Sequence, residues 1–138
     1  MTKQAQQYKI LLQAVREDFL AFCEKAFLTL HPGVEFHRAE YQKAIAWELK
    51  RCEKGAKENL LVVNLPPRHL KSEMISVFYS AYILGHDPTA TILSISYGAD
   101  LVVKLSNNVR KIMGAKWYKD AFPHTRLSST KNTETEFE

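Results

Sequence analysis

Lys71 and Ser72 are the two adjacent residues with the clearest capacity for chemistry. A phosphate-binding loop needs an ammonium group to neutralise the outer phosphates and a neighbouring hydroxyl to ligate Mg²⁺. Both must stand where a tight turn joins a buried strand to a helix, so that backbone N–H groups and the positive helix end face the anion. The turn ahead of them is Asn64-Leu65-Pro66-Pro67-Arg68-His69-Leu70. The common pattern G-x-x-x-x-G-K-[ST] has glycine where this chain has Leu65 and Leu70. A left-handed leucine costs roughly 1–2 kcal/mol, so such a loop is either strained or differently shaped. On residue types alone two readings stand: a variant phosphate loop, or an ordinary helix start that carries Lys-Ser.

The surrounding pattern supplies elements that would position the turn. Leu12, Val15, Phe19, Phe22, Ala26 and Leu30 recur by threes and fours, which predicts one amphipathic helix over residues 4–30, ended by His31-Pro32-Gly33. Tyr41, Ile45, Leu49 and Cys52 predict a second helix over 38–54, with Gly55 as its stop. The period then changes. Residues 60–65 (Leu-Leu-Val-Val-Asn-Leu) and 91–96 (Thr-Ile-Leu-Ser-Ile-Ser) are short apolar runs that suit buried strands. Helices are expected over 70–84 and from Leu101 to a stop at Gly114. The alternation implies an α/β fold: a helical N-terminal extension (1–57), then a partial P-loop NTPase parallel sheet (58–138) in the order strand, loop, helix, strand, helix.

Composition narrows the class. With 46% apolar and 25% charged residues the chain has the make-up of a globular protein. No run approaches the roughly 18 apolar residues of a membrane span, and the polar start lacks a signal-peptide core. Cys23 and Cys52 lack metal-ligand spacing and read as reduced packing thiols of an intracellular protein. Residues 98–131 carry seven Lys/Arg (Lys104, Arg110, Lys111, Lys116, Lys119, Arg126, Lys131) against Asp100 and Asp120. Such a stretch either meets nucleic-acid phosphates or is a solvated helix face. Trp117, Tyr118 and Phe122 read as packing residues rather than a base-stacking platform, and Ser96 and Tyr97, at the end of the second strand, as core or turn packing rather than nucleotide contacts.

The loop Asn-Leu-Pro-Pro-Arg-His-Leu-Lys-Ser-Glu resembles the variant Walker A loop of phage terminase large subunits, Pro-Pro-Arg-x-(Gly or Leu)-Lys-Ser. Further landmarks follow in order: Leu84-Gly85-His86-Asp87-Pro88, Ser94-Ile95-Ser96-Tyr97, Trp117-Tyr118 and Phe122-Pro123. The likeness spans about residues 36–138. It implies an ATP-driven motor that packages duplex DNA into procapsids, with ATP and Mg²⁺ as ligands. Pro67, Arg68, His69, Leu70, Lys71 and Ser72 would hold the nucleotide, and Ser72 the metal. Arg68 would be the catalytic residue, an in-chain arginine finger on the γ-phosphate, a task that suits the fixed guanidinium fork. Tyr41 and Gln42 resemble the adenine-contacting pair of that family, although a helix residue beside a surface glutamine explains them equally well. Lys104, Arg110, Lys111 and Lys116 would meet DNA. The implied partners are a portal protein, a small terminase subunit and possibly the remainder of the large subunit on a separate chain; the implied place is the cytoplasm of an infected or lysogenic bacterium. The helicase-like P-loop ATPases, and a non-catalytic basic α/β binding module, are the alternatives.

Hydrolysis by this class also needs an apolar strand ending in acid, whose carboxylates hold the magnesium shell and orient water. No such run follows the loop: Asp100 sits at a helix start, and Glu134, Glu136 and Glu138 lie in a polar tail. The expectation is therefore a section that ends before its acidic motif and its nuclease domain, and is inactive in hydrolysis on its own.

Overall fold

The computed structural model describes residues 2–53 and 60–128, and these form helices with no strand among them. The order is α1 (Lys3–Glu17), α2 (Phe19–Leu30), α3 (Glu40–Glu53), a π-helical stretch (Glu73–Tyr79) continuing into α4 (Ser80–His86), α5 (Ala99–Gly114) and α6 (Lys116–Ala121). Among the described residues, no helix is long and apolar enough to cross a membrane.

The single helix expected over 4–30 is two. Asp18 breaks it with an extended backbone, φ −117° and ψ 114°. Its carboxylate accepts from Leu20 N–H at 2.9 Å to cap α2, while its own N–H closes α1 on Ala14 O at 2.9 Å. A short acidic side chain competes for backbone donors in this way, which an apolar stripe does not reveal. The stop at His31-Pro32-Gly33 is as expected, with Gly33 left-handed at φ 83°. Helix α3 falls within the expected 38–54, and its proposed stop at Gly55 lies outside the described residues.

The parallel sheet, and with it the α/β class, is not what the described residues form. Residues 60–66 and 91–96 adopt no regular secondary structure, and neither finds a strand to pair with among the described residues. Leu61, Val63 and Leu65 pack against the helical core while Leu60, Val62 and Asn64 face outwards, the two-residue period of an extended chain. Residues 92–96 lie along a groove of about 470 Å³ between the π-helical stretch, α4 and α5, with Leu93 and Ile95 exposed. The apolar period specifies the side chains of one segment, whereas a ladder requires a second segment edge to edge. Here helices, not strands, cover the inward residues.

The core draws on both sides of residue 57: Val15, Phe22, Cys23 and Ala26 are buried in one cluster with Val77, Phe78, Ile112 and Tyr118. Helix α2 packs on α1, α3, α5 and the π-helical stretch, while α6 closes against α1 and α5. Aromatic rings dominate the cluster, and their polar ends find acceptors on the backbone or on a neighbouring hydroxyl. Tyr118 donates to Ala81 O at 2.7 Å, Tyr82 to Arg16 O at 3.1 Å, and Trp117 Nε1 to Thr29 Oγ1 at 3.0 Å. Gly85 lets the following segment approach: a Cβ there would lie 2.8–2.9 Å from three atoms at the base of the Phe122 ring. Cys23 is buried and free, and burial holds its thiol well above the ordinary value; Cys52 is free and half-buried.

Two outcomes follow from this packing. Gly85→Ala should lower the melting temperature, since overpacking costs about 1–3 kcal/mol against at most about 1 kcal/mol of gained helix propensity. Phe122→Leu in the same chain should relieve part of that loss. Burial also lifts the phenols of Tyr79, Tyr82 and Tyr118, Tyr82 to about 12 from an ordinary 10.0. The folded state thus favours the neutral phenol, a contribution complete below pH 10 and lost as pH climbs through about 12. Phenolate absorbance and helical circular dichroism should therefore change together in that range; full ionisation with the helices intact would contradict this.

Candidate functional site

The loop begins and ends on anchored leucines. Leu65 and Leu70 stand at the two glycine positions of the common pattern, and both pack against the helical core. Between them Pro66, Pro67, Arg68 and His69 are exposed. Arg68 has φ 64° and Leu70 φ 57°, the two non-glycine residues with left-handed backbone among those described. Each such residue costs about 1–2 kcal/mol and persists only where its surroundings hold it. Three attachments do so here. Leu70 is seated against the core, the Tyr41 hydroxyl donates to His69 O at 3.3 Å, and His69 Nδ1 donates to Pro67 O at 3.0 Å. Left-handed residues in a short turn swing successive N–H groups towards one side, the geometry of an anion-binding concavity.

The helix starts directly after the strained leucine. Its ladder opens with Met74 N–H bonded to Leu70 O at 2.7 Å, so the amides of the preceding turn lie ahead of it. Lys71 and Ser72 are exposed on that first turn. No ion pair among the described residues engages Lys71 or Arg68. From Glu73 the winding loosens into a π-helix, a form that recurs at functional sites.

The expected adenine pair divides. Tyr41 is at the loop, its ring edge-on to the His69 ring at 5.8 Å between centres. Gln42 is only 2% exposed, and its Oε1 accepts from Ala39 N–H at 3.0 Å, closing the start of α3. Residue reasoning missed His31 and Glu73. His31 ends α2, and its Nε2 lies 2.9 Å and 3.0 Å from the two Glu73 carboxylate oxygens, 42 residues along the chain. The one available signal was an acid in the third position of a helix.

The cations expected to meet DNA do not form one stripe. Lys104 and Lys111, two turns apart on α5, line a shallow groove of about 440 Å³ with Asp100, Val103, Asn107 and Asn108. Arg110 does not line that groove; it is half-buried and bonds to Asn107 Oδ1. Lys116, on α6, pairs with Asp120 at 2.6 Å, and the Tyr8 hydroxyl donates to the same carboxylate oxygen at 2.7 Å. The Lys116 hydrogen bond, and then that of Tyr8, hold Asp120 below the usual carboxylate range, and Asp120 in turn raises Lys116. Trp117, Tyr118 and Phe122 are buried in the core, whereas Tyr97, read as a packing residue, is fully exposed. No group of three or more His, Cys, Asp or Glu side chains among the described residues is placed to hold a metal.

No protein-family profile, curated protein or solved structure matches the chain.

If duplex DNA binds through α5, Lys104→Gln with Lys111→Gln should flatten the dependence of log affinity on log salt by up to about 0.9 per lost phosphate contact. Lys116→Gln should change it less, because Asp120 already engages that ammonium. A slope unmoved by the double substitution would leave α5 a solvated face.

Proposed function

We propose that residues 66–72 bind the phosphates of ATP with Mg²⁺, and that the chain is the ATP-binding part of a phage terminase large subunit. The observation that carries this reading is the pair of left-handed residues, Arg68 and Leu70, immediately ahead of Lys71 at the start of a helix. An ordinary helix start has no need of two such conformations, and leucine is a costly residue in which to place one. An anion-binding turn makes use of them, because a backbone turned in this way presents further N–H groups beside those of the helix start.

The roles divide by chemistry. Lys71 neutralises the outer phosphates as a flexible point charge, and the Ser72 hydroxyl completes the magnesium shell. The amides of the turn cradle the inner phosphate. Arg68, exposed on the bend, extends its guanidinium over the γ-phosphate, where charge develops during transfer. Tyr41 borders the turn and offers its ring to the base, while Gln42 keeps α3 in place rather than reading the base edge. Duplex DNA, met by Lys104 and Lys111, and the portal and small-subunit partners complete the proposal on the strength of the terminase resemblance. It rests on the turn and the helix after it; the strand expected ahead of the turn is not formed among the described residues.

Titration of the chain with a slowly hydrolysed ATP analogue and Mg²⁺ tests this. Lys71→Ala removes a charge-assisted contact of about 1.5–3 kcal/mol, so affinity should fall roughly tenfold to a hundredfold. Ser72→Ala should abolish most of the gain in affinity that Mg²⁺ confers. Equal binding by the parent and Lys71→Ala would exclude the loop as the site.

A further inference from the structure

Glu73 occupies the third helical position after the turn, counting Lys71 as the first. A glutamate there ordinarily folds back over the free amides of the first turn, drawn by the positive end of the helix. Those amides are the donors a phosphate needs. In this chain the carboxylate is held elsewhere. His31 Nε2 lies 3.0 Å from Oε1 and 2.9 Å from Oε2, and since a carboxylate only accepts, Nε2 carries the proton and serves both oxygens. The pair is sheltered, with 37% of the His31 side chain and 21% of the Glu73 side chain exposed. His31 itself is fixed, as the C-cap of α2 with its ring 4.7 Å from that of the buried Phe27.

We propose that His31 is a positioning residue for the phosphate loop. By occupying both oxygens of Glu73 it keeps the carboxylate off the first-turn amides and away from the γ-phosphate. This rests on the nucleotide-binding reading above. Released from His31, Glu73 would compete with the triphosphate twice over: it would take the same N–H donors and place a like charge beside the phosphates. The arrangement also ties the nucleotide turn to the core, because α2 is the helix around which the core is built.

The test is equilibrium titration with Mg²⁺ and a fluorescent, slowly hydrolysed ATP analogue. It compares the parent with His31→Ala, His31→Gln, Glu73→Gln, the double variant His31→Ala with Glu73→Gln, and Lys71→Ala. His31→Ala should bind about fivefold to tenfold more weakly, the size of a charge effect at a helix start. Glu73→Gln should bind as tightly as the parent or more tightly. The double variant should return to within about twofold of the parent, the non-additivity that marks a direct coupling. His31→Gln keeps a donor and should hold most of the parent affinity. A merely structural histidine would not be rescued by neutralising Glu73. If His31→Ala fails to fold by circular dichroism, Glu73→Gln and His31→Gln decide the matter. Parent-like affinity in folded His31→Ala, or weakened binding by Glu73→Gln, overturns the proposal while Lys71-dependent binding leaves the site standing. Absence of Lys71-dependent binding in the parent removes both.

Discussion

Edge-to-face packing around the ring of Phe22 holds the molecule together. Phe22 has no exposed surface and sits in the first turn of α2. Its ring meets Tyr82 at 5.3 Å and Trp117 at 5.4 Å between centres, and Tyr118 and Phe122 each at 6.2 Å. These partners come from α4, from α6 and from the residue just past α6, so one side chain joins segments nearly a hundred positions apart. Rings in this arrangement gain from quadrupole alignment as well as from burial. Removing such a ring costs about 3–5 kcal/mol, a large share of the 5–15 kcal/mol that a domain has in total.

The loop inherits its shape from this packing. Two left-handed residues store roughly 2–4 kcal/mol of backbone strain, which an isolated turn would relax. Apart from the bond of His69 to Pro67 within the loop, the restraints that prevent relaxation lead back to the core. Leu65 and Leu70 rest on it directly, Tyr41 reaches His69 from α3, and His31 reaches Glu73 from the end of α2. Each of these is a modest interaction. Together they hold the turn and the helix start after it, and a strained backbone persists only where its surroundings fix it in this way.

The outer face has a different character. Leu93, Ile95 and Tyr97 are 81%, 86% and 101% exposed, and the run 91–96 has no strand partner among the described residues. Large apolar side chains in one contiguous stretch contrast with the charged, internally paired surface around Lys116, Asp120 and Tyr8. The molecule thus combines a tightly organised aromatic centre with exposed apolar side chains on its extended segments, Leu60 and Val62 on one and Leu93, Ile95 and Tyr97 on the other.

Local properties were legible in the residues themselves. The apolar stripes of α2, α3 and α5, the stop at Gly33, the end of α5 at Gly114 and the strain implied by Leu70 all depend on neighbours within a few positions. Lys71-Ser72 at a helix start was readable for the same reason. The break at Asp18 was local too, yet hidden beneath an unbroken apolar period, because a side-chain cap overrides periodicity without disturbing it. Pairing was not legible. Residues 60–65 and 91–96 have the composition of strands, but a strand exists only when a second backbone lies alongside, and no property of either run supplies one. The inward turn of Gln42, the capture of Glu73 by His31 across 42 positions and the engagement of Lys116 by Asp120 and Tyr8 likewise needed the packed helices. Sequence determines what each segment prefers, while contacts between segments decide which of those preferences are met. Only the tertiary structure brings the ends of α2 and α3 to the loop.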